Sequence, residues 1–331
     1  MLQALPPIGR RRALQGAAAA LVVFGLLMWW LLPLGEGSPG GKVVFSTGVE
    51  RGVYQRYGKL LQNAAARDLP DLDISLRHSE GSQMNVSRVA TGQADYTIAA
   101  ADAVEKYRLQ NKPGWERLRG CARLYDDYVQ LIVRGDSKVR GVEDLRGKKV
   151  AVGQEGSGVR LIAERVLRAA GLDPERDIEP EPHGIDRAPR RLMDGEVEAF
   201  FWSGGLPTTI VRELSERADI RLVELGNLVS ALHKQGGASR YYRAAVMPAD
   251  AYPRAQQGAE VPTLAVANLL VTTDRADPEL TERLTRTVID SRDHIGLKVH
   301  AAQLVDLRTA IYTDPLALHD GARRYYRSVK P

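Results

Sequence analysis

From Lys42 onward the chain alternates between short apolar runs of strand length and longer stretches whose apolar residues recur three and four positions apart. Val43-Val44-Phe45 predicts a strand, and Val53, Tyr57, Leu60, Leu61, Ala64 and Ala65 then mark one face of a helix. Asp73 to Arg77 alternates as a second strand, and Met84 to Ala90 reads as a helix. Asp95 to Ala99 is a third strand, before a helix through Val104 and Tyr107. Asp126 to Val133 leads out of this first series. A second series starts near Ser137, with a helical turn at Val142 to Leu145 and a strand at Val150. In the next helix Val159, Ile162, Ala163, Val166, Leu167 and Ala170 share a face, and Gly171 is its natural stop. Arg187 to Met193 (helix), Glu198 to Trp202 (strand), Thr209 to Leu214 (helix) and Ile220 to Glu224 (strand) complete the series. After Gly236-Gly237-Ala238-Ser239 come a long strand, Val261 to Thr272, and a helix, Leu280 to Ile295.

Strand and helix in alternation imply an α/β fold with a mostly parallel sheet. Two series with crossings near Arg134-Gly135 and Gly236-Gly237 imply two lobes. Residues 42–134 then form lobe 1, residues 135–238 form lobe 2, and residues 239–331 return to lobe 1 and supply the C-terminal helices. A cleft between lobes is a preferred place for a ligand.

Ahead of these lobes the pattern changes. Residues 1–12 are basic, with Arg10, Arg11 and Arg12, and residues 13–34 are an uncharged run of 22 residues. As a helix that run would reach roughly 33 Å, enough for the hydrocarbon core of a bilayer. Arginines on one side only place the N-terminus inside and the remainder outside, and Trp29 and Trp30 suit the outer interface. A retained anchor is favoured over cleavage near Gly35-Glu36-Gly37. The expectation is a single-pass membrane protein with an extracytoplasmic domain, or a secreted or periplasmic one if the segment is cut. Residues 35–41 are a glycine-rich linker.

Composition narrows the function mainly by exclusion. The formal net charge is +5, and Arg10, Arg11 and Arg12 carry three of those charges, so the remainder is close to neutral. No basic stripe interleaved with aromatics points to nucleic acid. A single cysteine, Cys121, excludes an intramolecular disulfide and a multi-cysteine metal site, and its context predicts burial. The six histidines are scattered, and the Asp126-Asp127 pair lacks a third ligand at suitable spacing, so no metal is expected. Neither Ser157 nor Ser203 sits in a nucleophile elbow, and no catalytic set can be assembled. A binding protein without cofactor, rather than an enzyme, is the expectation, with a monomeric folded domain.

Four strand-to-helix turns share one chemistry. Ser46-Thr47-Gly48 with Gly52 opens the helix carrying Tyr54, and Ser79-Glu80-Gly81-Ser82 opens the helix carrying Asn85. Gly156-Ser157-Gly158, with Ser157 at the N-cap, is the third, and Ser203-Gly204-Gly205 after Trp202 is the fourth, with Pro207 placed for a first helical turn. In a parallel sheet such turns lie at the carboxyl ends of the strands, where ligands bind. Hydroxyls, glycine amides and helix N-termini suit a small carboxylate-bearing molecule. Thr47, Gly48, Tyr54, Ser82 and Asn85 are the candidate contacts from one lobe, and Ser157, Gly158, Trp202, Ser203 and Gly204 those from the other. Asp102 either caps the helix it opens or adds a contact, and Arg51 and Arg160 are possible partners for an acidic ligand.

Residues 43 to about 275 resemble the TAXI family, the solute receptors associated with TRAP transporters. The likeness rests on Ser46-Thr47-Gly48 with Gly52-Val53-Tyr54, Glu80-Gly81-Ser82 with Asn85, and Thr91-Gly92-Gln93-Ala94-Asp95. It continues through Asp144-Leu145-Arg146-Gly147-Lys148-Lys149-Val150-Ala151-Val152-Gly153, Gly156-Ser157-Gly158 and Asp194-Gly195 with Ala199-Phe200-Phe201. The resemblance implies a two-lobed type II periplasmic-binding-protein fold. It further implies capture of a small organic acid such as glutamate or 2-oxoglutarate, and delivery to a TRAP permease in the membrane. The chain departs from the family where Val49-Glu50-Arg51 replaces further glycines, where Tyr54-Gln55 replaces a tyrosine pair, and where Ala100-Ala101-Asp102 replaces Gln-Ser-Asp. The last change removes a polar contact, so the ligand is expected to differ from the usual one. An anchored sensor that binds solute without transporting it is the alternative.

Overall fold

In this computed structural model the described residues are 40–329 and, ahead of them, residues 15, 18, 21–25 and 27–28, which are helical. The remainder of the span expected at 13–34, the basic residues 1–12 and most of the linker lie outside the described residues. Among those described, no helix is long and apolar enough to cross a membrane.

The first series of elements is β1 (Gly41–Ser46), α1 (Val53–Asp68), β2 (Leu72–Arg77), α2 (Ser82–Ala90), β3 (Tyr96–Ala100) and α3 (Ala101–Leu109). β4 (Leu118–Arg134) then leads to the second series: β5 (Lys149–Ala151), α4 (Gly158–Ala169), β6 (Glu179–Glu181), α5 (Ala188–Met193), β7 (Ala199–Gly204), α6 (Thr209–Arg217), β8 (Ile220–Val223) and α7 (Val229–Lys234). β9 (Arg243–Met247), α8 (Pro253–Gln256), β10 (Val261–Thr273), α9 (Pro278–Asp290), α10 (Arg292–Gly296), α11 (Leu307–Ala310) and α12 (Asp320–Val329) complete the chain.

All strands join one ten-stranded sheet in the order β2-β1-β3-β10-β4-β7-β5-β6, with β8 also on β4 and β9 on β10. Parallel pairing is confined to the two ends, β1 with β2 and β3, and β5 with β6 and β7. The middle is antiparallel, which departs from the mostly parallel sheet expected. The cause is the return path: β4 runs out of the first half and β10 comes back beside it, paired from Ala265↔Tyr128 to Thr273↔Leu118. Tyr128 to Val133 of β4 then pairs with β7, and Val261 to Ala265 of β10 pairs with β9. The change from one half to the other therefore falls inside these strands, near Asp126–Tyr128 and Ala265–Asn268. It does not fall at Arg134-Gly135 or Gly236-Gly237. Gly135 lies at the far end of β4, its amide bonded to Asp219 O at 2.9 Å. Gly236, at φ +66°, merely ends the short helix α7.

Each half has its own core. Phe45, Tyr57, Leu61, Ile98 and Leu124 pack together in the first half, and Val288, Tyr325 and Tyr326 from the C-terminal helices join them. In the second half, Ile162, Val166 and Leu167 of α4 lie on Val150, Val152 and Phe201 of the sheet. Each such buried side chain contributes about 1.5–3 kcal/mol of hydrophobic stabilisation. The packing also holds the start of α4 rigidly at the sheet's edge. α1 sits equally close to β1 because Gly58 faces the turn before it; a Cβ there would come within 2.7 Å of Thr47 Cγ2.

Candidate ligand-binding site

The four strand-to-helix turns converge. Gly48 and Gly52 (β1 to α1), Glu80 and Gly81 (β2 to α2), Gln154 and Ser157 (β5 to α4), and Trp202 with Ser203 at the end of β7 line one cavity, which offers about 60 Å³ to the centre of a water-sized sphere. The two halves touch around it. The amide of Met84 donates to Gly156 O at 3.0 Å, and Gln83 Nε2 donates to Ser157 O at 2.7 Å. The N-termini of α2 and α4 approach closely, with a glycine on each side. A Cβ on Gly81 would stand 3.4 Å from Gly158 N, and one on Gly158 would stand 3.1 Å from Ser82 Oγ. Gly81 also sits at φ +131°, which L side chains rarely adopt. The starts of α2 and α4 thus meet at the cavity wall, each carrying the positive end of its helix dipole.

A directed chain of hydroxyls runs along one wall. Ala100 N donates to Ser82 Oγ (3.1 Å), Ser82 Oγ and the Tyr54 hydroxyl are bonded at 2.9 Å, and Tyr54 donates to Asn268 Oδ1 at 2.5 Å. Tyr54 has one proton to give and Asn268 Oδ1 can only accept, so Ser82 donates to Tyr54. Burial pushes the Tyr54 phenol well above its ordinary pKa, with Asp127 adding to the effect. Ser157 caps α4 as expected, accepting from Arg160 N at 3.0 Å and donating to Gln154 O at 2.6 Å. The Trp202 indole N–H is spent on Thr208 Oγ1 (3.0 Å), which fixes the ring as a wall. Gly204 permits that pose, since a Cβ there would lie 2.7 Å from Trp202 Nε1. The α6 cap is Thr208, so Pro207 stands before the helix instead of in its first turn.

Gly48, Tyr54, Ser82, Ser157, Gly158, Trp202 and Ser203 line the cavity together. Thr47, Asn85, Asp102 and Gly204 do not. Thr47 and Asn85 are fully buried behind it. Asn85 Nδ2 donates to Thr47 O (2.7 Å) and Ile98 O (3.0 Å), while Oδ1 accepts from Ser46 Oγ and Ser79 Oγ, both at 2.7 Å. Its side chain is fully used in joining three strand ends. Asp102 lies inside the first turn of α3 and does not cap it. It accepts from the Tyr242 hydroxyl (2.6 Å) and pairs with Arg165 at 3.2 Å. Burial raises its pKa, and Arg165 and Tyr242 oppose the rise. Arg51 faces Glu213 at 3.8 Å, and Arg160 is held by Glu164 (2.8 Å) and Glu175 (2.6 Å). Neither lines the cavity.

Sequence reasoning missed the cavity's own charge. Asp127 lines it at 5 % exposure, and its Oδ1 has no hydrogen-bond partner; Ser203 Oγ is likewise buried without one. Burial pushes the Asp127 carboxyl up to about 7, Asn268 beside it pulls the other way, and Asp126 and Asp102 add to the rise. The signal was present in the alternation of β4. Asp127 falls in phase with Val129, Leu131 and Val133, all fully buried, so it is a carboxyl on the inward face of a strand. Asn268 is similarly a lone amide in the apolar run from Leu264 to Val271. Asp126, next in sequence, points elsewhere and pairs with Arg123 at 2.6 Å and with Arg243. Among the described residues no group of three or more potential ligands could hold a metal ion.

A cavity at the strand ends of two α/β halves, joined by an outgoing and a returning strand, defines a two-lobed periplasmic-binding-protein-like fold. The chain belongs to the NMT1-like family, whose profile matches residues 45–329. Among solved structures it is similar to a protein of Bordetella bronchiseptica RB50, at 17 % identity over 88 % of this chain and 90 % of that one, with a TM-score of 0.52. It is also similar to a putative L-cystine ABC transporter from Listeria monocytogenes, at 12 % identity over 80 % and 98 % of the two chains, with a TM-score of 0.51. The periplasmic aliphatic sulphonate binding protein SsuA from Escherichia coli matches at 14 % identity over 89 % and 84 %, with a TM-score of 0.45. The first two likenesses, at such identities, speak for the fold alone.

Proposed function

We propose that this chain is an extracytoplasmic solute receptor that captures a small carboxylate-bearing molecule between its lobes and hands it to a membrane transporter. The observation that carries the reading is the convergence of four strand-to-helix turns, two from each half, on one cavity. Helix N-termini hold an anion through oriented amides without formal charge. A ligand touching both halves stabilises their approach selectively, which is what a transporter can recognise. The residue pattern shared with the TAXI receptors makes a TRAP-type permease the proposed recipient. The uncharged run at 13–34 makes a membrane tether the proposed placement, and protease shaving of intact cells should then release the folded domain.

The test is binding to the purified protein of a panel of small solutes: amino acids, monocarboxylates and dicarboxylates. One-to-one binding of a panel member by calorimetry, with a smaller radius of gyration by X-ray scattering at saturation, is the expected result. Chemical turnover of the bound solute, or a profile that does not change at saturation, would contradict a receptor that closes on its ligand.

A further inference from the structure

The cavity's charges do not match a simple anion site. Among its lining residues the acidic ones are Glu80 and Asp127, and no lysine or arginine is present. The nearby cations Arg51 and Arg160 are occupied by Glu213 and by Glu164 and Glu175. The starts of α2 and α4 bring helix N-termini to the lining, with Glu80 just ahead of α2, and Asp127 adds a buried carboxyl with an unpartnered oxygen. A buried ionised group without a partner is costly, and a carboxylate beside an ammonium is relieved of that cost. The rest of the lining is largely apolar: Val49, Val53, Val159, Ile162, Ile185 and Trp202.

We propose that Asp127 receives the ammonium group of a zwitterionic ligand, an α-amino acid with an uncharged, mainly apolar side chain whose carboxylate lies at the starts of α2 and α4. The proposal rests on the receptor reading and narrows it. A second carboxylate, as in glutamate or 2-oxoglutarate, would meet either the apolar wall or an acidic side chain, with no lysine or arginine in the lining to balance it. Ser203, whose hydroxyl is buried and free, stands in the lining to take a further ammonium or carboxylate bond. Tyr54 and Ser82 are already committed to each other and to Asn268, so they hold the wall in place.

The test uses the purified full-length protein, calorimetry, and a panel of amino acids with uncharged side chains. Analogues of the tightest binder lacking the amine or lacking the carboxylate, together with succinate and 2-oxoglutarate, complete the probes. At least one uncharged amino acid should bind. Its analogue without the amine should bind ten- to a hundredfold more weakly, as a lost charge-assisted bond implies. Asp127→Asn should weaken the amino acid by a similar factor while leaving the amine-free analogue little changed. A wild-type protein that binds the amine-free analogue as well as the amino acid would overturn the assignment of Asp127 and leave the receptor reading standing. So would a protein that binds only dicarboxylates. A protein that binds no probe would overturn both. The comparison of analogues on the wild-type chain decides the matter even where the variant fails to fold.

Discussion

Replacing Asp127 with asparagine should make the ligand-free protein more stable at neutral and alkaline pH. The argument starts from the carboxyl's folded pKa of about 7 against an ordinary value of 3.8, a rise caused first by burial. A carboxyl whose folded pKa is raised keeps its full contribution below the unfolded value, and loses it as pH climbs through the folded one. The difference of roughly three units corresponds to about 4 kcal/mol, reached between pH ~4 and pH ~7 and constant above pH ~8. Asparagine has nearly the same shape and never ionises, so Asp127→Asn removes this loss. For a chain of this size such an energy amounts to a melting-temperature shift on the order of 10 °C. Thermal unfolding of both proteins from pH 4.5 to 8.5, without ligand, measures it. The difference between the two cancels the opposing exposed carboxylates, such as Asp144 and Asp173, whose pKa values are lowered by local hydrogen bonds. It should be small at the acid end and largest above pH 8. A difference that is flat with pH, or a variant that melts lower than the wild type at pH 8, would refute the reasoning.

Asn85→Ala should cost stability rather than ligand affinity alone, by about 3 kcal/mol in urea unfolding, because it removes all four hydrogen bonds of a buried amide; an unchanged midpoint would contradict this. Gly158→Val should hold the halves apart, since even a Cβ would meet Ser82 Oγ at 3.1 Å; scattering should report a larger radius of gyration, and a compact profile would count against the close approach. Tyr54→Phe removes the hydroxyl joining Ser82 to Asn268. It should weaken ligand binding about tenfold by calorimetry while the fold survives, and an unchanged affinity would exclude the hydroxyl chain from the site. Cys121 is fully buried and burial pushes its thiol pKa up, so a thiol reagent at pH 8 should label it only in denaturant; labelling of the native protein would show an opening that the packing does not contain.

The alternation of elements and the four turns were legible because their signals are local. Period-two and period-3.6 patterns mark the strands and helices, and Ser157 caps α4 through its own hydroxyl three residues from its partner. What escaped was set by distant pairing. Asp102 looks like a cap or a contact in sequence, but its partners are Arg165 and Tyr242, brought from the other half. Asn85 lies at a turn rich in ligand-like groups, and only the fold shows that all of its bonds go to neighbouring strand ends. The glycines at 135 and 236 suggested crossings, because glycine marks freedom in sequence, yet the chain crosses within hydrogen-bonded strands. Asp127 was noticed as half of an acidic pair. The pleat separates that pair, turning Asp126 toward arginines and Asp127 into the cavity.

The place of β10 in the sheet has a consequence for the order in which the molecule can assemble. It lies between β3 and β4, strands that precede it by more than a hundred residues. A chain emerging from its N-terminus therefore makes the other nine strands before the one that joins the two halves, and the C-terminal helices of the first core only after it. Until Val261 to Thr273 arrives, β3 and β4 present open edges, and no truncated product ending before it can complete either core. Such long-range closure favours slow folding and late cooperativity. Nascent chains should thus stay open to chaperones and to threading at least until β10 has emerged.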